Sequence, residues 1–482
     1  MAPVAAPAVS RRLFGWVIAL AACGDVTAKP DAPPVPPDAG PDLNEGATSG
    51  ARLRLRYVDF GGLRTLAGVR DLQRDENCTP TQWFGGKAYC VPDAGNIVYS
   101  NAQCTQRLGQ VYRDAACSVQ KPPPAYFLDY EYASACNGAP ARLFPRMSKV
   151  AATQYYFKQS DGSCAGPITT TTSDYYSLGP EVPLTELAET PLSAPATTGR
   201  LGQRFYESAD GLRYPLSYRV HDALLGIDCY PEYLSAGATT GRCIPEDAAY
   251  AGDFRDAACT LPAVEITATC TKSKFAVKFG DCPYDEETFY NLGVQLSPTV
   301  LYYDTGSACM SFPPTQGATY YGVGSAVTLA TLTREKGDGT RLQPIYFSTA
   351  EGLRARDSAL FDQMLMSECF PTTQPDGSIV CMPNAYSVTT FYTESTCTTP
   401  IKLMSVYRGA ASCSPPPLPS YAYESTKDAA TCSTSYALHH VGAAYTGPRY
   451  RKTSTACSLE TGTTSLYYRV ETQVPNSMLV SG

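Results

Sequence analysis

The sequence predicts an all-β protein made of three tandem, disulfide-rich repeats of about 145 residues each. Three observations predict it. One six-cysteine ladder occurs three times, as Cys78, Cys90, Cys104, Cys117, Cys136, Cys164, then Cys229, Cys243, Cys259, Cys270, Cys282, Cys309, then Cys369, Cys381, Cys397, Cys413, Cys432, Cys457. The flanking residues recur with it: the second cysteine stands in Cys-x-Pro and the third in Cys-Thr. Finally, 34 tyrosines with abundant Thr, Val, Pro and Gly favour strands and turns, and no long Ala/Leu/Glu/Lys helical pattern follows the N-terminus.

Residues 1–22 read as an export signal. Arg11 and Arg12 precede an apolar run from Leu13 to Ala22, too short to span a bilayer as a mature helix. Leu20-Ala21-Ala22-Cys23 resembles the bacterial lipobox, which implies cleavage before Cys23, lipidation of its sulfur and acylation of the new amino terminus. Several acyl chains give firm attachment where one is marginal. Gly24, not an aspartate, follows the cysteine, so the expected location is the cell envelope at the outer membrane. Ser10-Arg11-Arg12-Leu13-Phe14 also resembles a twin-arginine motif, so the export route stays open. Residues 23–50 hold Pro30, Pro33, Pro34, Pro36, Pro37 and Pro41 with little apolar content, and read as an extended tether.

The repeats are placed at 51–198, 199–339 and 340–482. They open alike, with Arg52-Leu53, Arg200-Leu201 and Arg341-Leu342, then Gly62-Leu63-Arg64, Gly211-Leu212-Arg213 and Gly352-Leu353-Arg354. Repeat two offers about eight strand candidates: 203–207, 216–221, 241–245, 251–255, 264–269, 274–279, 299–303 and 319–329. Arg-Asp-Ala-Ala-Cys occurs at Cys117 and again at Cys259, which hints at a smaller duplication within each repeat. Two four-stranded blades per repeat then make a six-bladed, propeller-like ring, whose closure removes exposed sheet edges. The alternative is three separate antiparallel β-sandwich or barrel modules. Six cysteines allow fifteen pairings; the expected one joins neighbours, first to second, third to fourth and fifth to sixth. The bridges substitute for a core poor in large aliphatics.

The chain carries 38 basic and 45 acidic residues, net −7, and loss of Arg11 and Arg12 with the leader makes it −9. That balance argues against nucleic acid and anionic lipid surfaces as partners. No cofactor or metal is expected: the cysteine spacings are not those of zinc sites, and no Gly-x-Ser-x-Gly, His-Glu-x-x-His, P-loop or calcium-loop pattern appears. His439 and His440 are adjacent and so face opposite sides of a strand; His221 stands alone. One acidic position recurs. Asp71, Asp222 and Asp362 each lie seven residues before the first cysteine of their repeat. They read as turn-capping carboxylates or, more sharply, as a binding site around a central channel. Tyr175-Tyr176, Tyr320-Tyr321 and Tyr467-Tyr468 recur too, one of each pair in the core and the other free to stack on sugar.

The lipobox, the tether segment Pro37-Asp38-Ala39-Gly40-Pro41 and the Cys-x-Pro and Phe-x-Asp-x-x-Cys-Thr motifs together resemble the cysteine-rich repeat lipoproteins of myxobacteria. The resemblance covers nearly the whole chain and brings no catalytic residue with it. The expectation is a lipid-anchored envelope protein, not an enzyme, with a binding or structural role and a protein or glycan partner. The alternatives are a glycan- or matrix-binding module and an extracellular hydrolase using carboxylates.

Overall fold

The computed structural model describes residues 46–482 except 85–86, 121, 131–140, 160–161, 195–198, 234–237, 267–272, 281, 283–285, 307, 411, 416, 454–455 and 463. Cys23, Cys136, Cys270 and the Pro30–Pro41 tether lie outside the described residues. Among those described, regular structure is β with two single 3₁₀ turns.

Each repeat forms one unit with two parts. The first is a four-stranded antiparallel meander. In unit one it is Leu53–Asp59, Arg64–Asp71, Glu76–Phe84 and Lys87–Pro92. In unit two it is Leu201–Glu207, Arg213–Asp222, Ile227–Glu232 and Thr240–Pro245. In unit three it is Leu342–Ser348, Arg354–Asp362, Ser367–Thr373 and Ile379–Pro383. The Gly-Leu-Arg motif is the turn between the first two strands. Its glycine has φ of +98°, +99° and +100° at Gly62, Gly211 and Gly352, a region that L side chains avoid.

The second part is a small closed barrel of five strands. In unit one the order is Ala94–Tyr99, Arg107–Tyr112, Ser173–Leu178, Ala141–Val150, Tyr126–Tyr130, and a parallel pairing of Ala94 with Tyr126 closes it. Unit three repeats this with Tyr386–Tyr392, Pro400–Tyr407, Ser465–Gln473, Thr434–Ala444 and Tyr421–Lys427. In unit two the first strand is broken into Ala248–Tyr250 and Asp253–Phe254, and Ala248 pairs in parallel with Phe275. A short hairpin before the last barrel strand leans on the first strand, through Tyr99 with Tyr156 and Tyr392 with Tyr450.

All-β architecture in three units is therefore present, but the sheets contain four, seven, nine, eight and seven strands. The strand pairing does not divide into six four-stranded blades, and modules with their own barrels fit it better. The repeated Arg-Asp-Ala-Ala-Cys has a local cause instead of an ancestral half-unit. At both places the cysteine N–H donates to the aspartate carbonyl, Cys117 to Asp114 at 3.0 Å and Cys259 to Asp256 at 3.1 Å, so the motif is a turn used twice.

The disulfides correct the neighbour pairing. First and second cysteines do pair, Cys78–Cys90, Cys229–Cys243 and Cys369–Cys381, across the last hairpin of each meander. The third pairs with the sixth, Cys104–Cys164, Cys259–Cys309 and Cys397–Cys457, pinning the short hairpin to the turn after the first barrel strand. The remaining described bonds run between units. Cys117 of unit one joins Cys432 of unit three, and Cys413 of unit three joins Cys282 of unit two. Both link the fourth cysteine of one unit to the fifth of another.

The units pack cyclically. Leu212 of unit two enters the cluster of Leu53, Val69, Cys78 and Cys90 in unit one. Leu353 of unit three packs on Leu201, Val220, Cys229 and Cys243 of unit two. Leu63 of unit one packs on Leu342, Leu360, Cys369 and Cys381 of unit three. A linker strand crosses the seams as well. Thr331–Lys336 pairs with Thr240–Pro245 on one side and Leu342–Ser348 on the other, giving one nine-stranded sheet across units two and three. Between units one and two, Thr190 donates to Ala88 and Ser193 to Phe205. At the third seam Gly482 donates to Ile379 within unit three, which lays Val480 against Val58 and Phe60 of unit one, and Ser118 of unit one donates to Ala429 of unit three at 2.7 Å.

Candidate functional site

The recurring aspartates are buried, each 1% exposed or less. Asp71 takes a bidentate pair from Arg52 at 2.9 and 2.6 Å, and Asp222 one from Arg200 at 3.0 Å with Nη2 at 2.8 Å. Asp362 takes the same pair from Arg341 at 3.4 and 3.1 Å. Each carboxylate also accepts two backbone N–H groups of the turn that follows, Gln73 and Arg74, Leu224 and Leu225, Met364 and Leu365. The arginines reach on to the carbonyls of Glu186, Thr328 and Met478. Each acid thus caps a turn and anchors the arginine that opens its own unit. The one group of three metal-ligating side chains among the described residues is Asp114, Cys117 and Cys432, whose sulfurs are bonded to each other. None of the three aspartates belongs to that group.

The Cys-Thr motif has a similar origin. Asn101, Asp256 and Glu394, three residues before the third cysteine, accept the N–H groups of the threonine and the residue after it. That closes the turn and holds Cys104, Cys259 and Cys397 at φ near +50°. Hydroxyls of Thr393 and Thr398, with the Thr399 N–H, lower the Glu394 carboxyl to about 2. Tyr175, Tyr320 and Tyr467 are buried while Tyr176, Tyr321 and Tyr468 are half-buried. His439 and His440 diverge: His439 Nε2 is 3.7 Å from Glu424, whereas His440 lies against the Tyr421 ring. His221 Nδ1 sits 2.8 Å from Asp228, which Arg204 also holds at 2.9 Å.

Sequence reasoning missed two departures in unit two, and comparing the copies could have found both. The first is Asp253. The position six residues before the third cysteine holds Val98 in unit one and Phe391 in unit three, both buried in barrel cores. Asp253 faces Ala263 in register, next to Glu265, whose carboxylate accepts from Tyr320 Oη at 2.7 Å and Thr315 Oγ1 at 3.1 Å. Burial first, and Glu265 second, push Asp253 up to about 6. The unfolded chain ionises this group more readily, so the folded state is penalised above pH 6 and unpenalised below about 4. Asp253→Val is therefore expected to stabilise the protein by about 1–2 kcal/mol at pH 7.5, discounted for partial exposure, with a smaller gain at pH 4. Thermal melts at both pH values check it.

The second departure is Arg242, at the position before the second cysteine. Its Nη1 donates to the Glu287 carbonyl at 3.0 Å, and its ion-pair distances are 3.4 Å to Glu232 and 3.8 Å to Glu286. Burial raises the Glu232 carboxyl, against the pull of Arg242. A cavity of about 240 Å³ opens beside the guanidinium.

No curated protein and no solved structure is significantly similar to the chain. A family model described as a family of unknown function, DUF7481, matches residues 16–470, which takes in Cys23, units one and two and most of unit three. The chain belongs to the DUF7481 family.

Proposed function

We propose that the protein is an exported, lipid-anchored lipoprotein of the cell envelope, of the myxobacterial cysteine-rich kind, with a non-enzymatic binding or architectural role. The observation that carries this reading is the pair of disulfides between units, Cys117–Cys432 and Cys282–Cys413. Bonds that tie whole units together persist in an oxidising compartment, not in a reducing cytosol. The family match also takes in the Leu20-Ala21-Ala22-Cys23 segment, where a lipobox supplies export and anchor together. The outer membrane is the proposed location because Gly24 follows Cys23.

The proposed absence of catalysis draws support from the use the body makes of its recurring polar residues. Asp71, Asp222 and Asp362 are consumed by arginine pairs and turns, and Asp256 and Glu394 by the Cys-Thr turns. Expression with labelled palmitate tests the anchor. Wild-type protein is expected in the membrane fraction and labelled, whereas Cys23→Ala is soluble and unlabelled. Unlabelled, soluble wild-type protein would end this reading.

A further inference from the structure

The units are copies, so each position can be compared within one chain. After the last barrel strand, units one and three make a 3₁₀ turn, Leu184–Glu186 and Asn476–Met478. Two equivalent anchors bracket that turn. The N–H groups of Val182, Val474 and Val327 donate to Leu143, Leu438 and Phe289, and the carbonyls of Glu186, Met478 and Thr328 accept from the unit-opening arginines. Between the anchors unit two is three residues shorter, Val327-Thr328-Leu329 against Val182–Leu187 and Val474–Leu479. Unit two has no 3₁₀ turn there.

The residue before the second cysteine changes at the same place. Tyr89 packs on Val182 and Leu187 in unit one, and Val380 on Val474 and Leu479 in unit three. Unit two has Arg242, and the space holds the 240 Å³ cavity. Its apolar lining is Phe289, Val327 and Leu329; its polar lining is Arg242, Glu286 and Glu287, with the hydroxyls of Thr288 and Thr331. A shorter segment and a substitution, separated in sequence, thus leave one half-open pocket at a place that the other copies fill.

We propose that this cavity binds a single uncharged sugar ring. The volume lies below the roughly 300–1,000 Å³ of drug-sized sites, which suits one small ring. Guanidinium donors beside carboxylate acceptors make paired bonds to vicinal hydroxyls. Two of the three Arg242 contacts given above are long, so a hydroxyl can improve on them. Glu232, Glu286 and Glu287 outnumber Arg242, so an anionic sugar is repelled. The site gives a ligand class to the binding role proposed above, and it stands or falls independently of the lipid anchor.

The test is calorimetric titration of the purified full-length protein with D-glucose, N-acetyl-D-glucosamine and D-glucuronate. At least one neutral sugar is expected to bind with a Kd of order 1 mM, and glucuronate at least about tenfold more weakly. Arg242→Tyr, which installs the unit-one residue, and a graft of Val182–Leu187 in place of Val327–Leu329 are each expected to weaken binding by about tenfold or more. Both carry sequences that a sister unit already packs, and either alone reads out the site. No saturable binding of either neutral sugar, a preference for glucuronate, or undiminished binding in a folded variant overturns the proposal. Palmitate labelling of Cys23 is unaffected by any of these results.

Discussion

Replacing Cys117 and Cys432 together by serine is expected to lower the unfolding free energy by about 4–5 kcal/mol. The bond joins residues 315 positions apart. By the chain-entropy treatment, a cross-link closing a loop of that order contributes about 6 kcal/mol, lessened here because Cys282–Cys413 already shortens the open path. The seam it crosses is the one that the chain does not bridge. Units two and three share a nine-stranded sheet, and units one and two are joined by the 188–193 segment. Unit three meets unit one through Leu63, the last residues of the chain, and the loop contacts of Ser118 with Ala429 and Asp114 with Lys427. Urea unfolding of the oxidised protein should show a lower midpoint and a somewhat steeper slope, because the unfolded chain without the bond is less compact and exposes more surface. A loss below about 1 kcal/mol would mean that the apolar seam alone closes the ring. Peptide mapping of the same sample extends the test. Both bonds between units join a fourth to a fifth cysteine, and counting leaves one such pair in the sequence, Cys136 and Cys270. Mapping is expected to recover it.

What could be read from the sequence was local. The triplication, the β class and the first-to-second disulfide follow from spacings short enough for one hairpin to satisfy. The Cys-Thr and Gly-Leu-Arg motifs are turns, and turns are written in neighbouring residues. Two of the strands that the sequence reading of unit two missed share a different cause. Ile227–Glu232 contains Pro231, and Thr288–Leu296 contains Asn291 and Gly293, so each looks interrupted until a partner strand supplies the ladder. The third-to-sixth bonds and the bonds between units depend on barrel closure, where strands distant in sequence become neighbours, and no spacing encodes that. The acid pair at Asp253 and the cavity at Arg242 were visible in principle. Both emerge when each unit is read against its sisters, Asp253 against Val98 and Phe391, Arg242 against Tyr89 and Val380. Reading for recurrence alone finds the shared scaffold and passes over these places where one copy departs from it.

Asp222→Ala is expected to destabilise the protein by about 3–5 kcal/mol, the largest effect of any single substitution considered. The carboxylate is fully buried and accepts from Arg200 Nε and Nη2 and from the N–H groups of Leu224 and Leu225. Removing it strands a half-buried guanidinium and two turn amides at once, and a buried charge without its partner is the costly case. Asp222→Asn keeps an acceptor for the turn but not the charge, so it should lie between wild type and the alanine variant. The triplication supplies internal repeats of the measurement. Asp71→Ala and Asp362→Ala remove the same set of bonds and should fall within about 1 kcal/mol of Asp222→Ala. A shared cation site predicts otherwise: adding Ca²⁺ or Mg²⁺ would raise the wild-type melting temperature, and loss of any one aspartate would abolish that rise. The arginine pairs predict a melting temperature indifferent to both ions, because each carboxylate is already neutralised by a cation of its own chain.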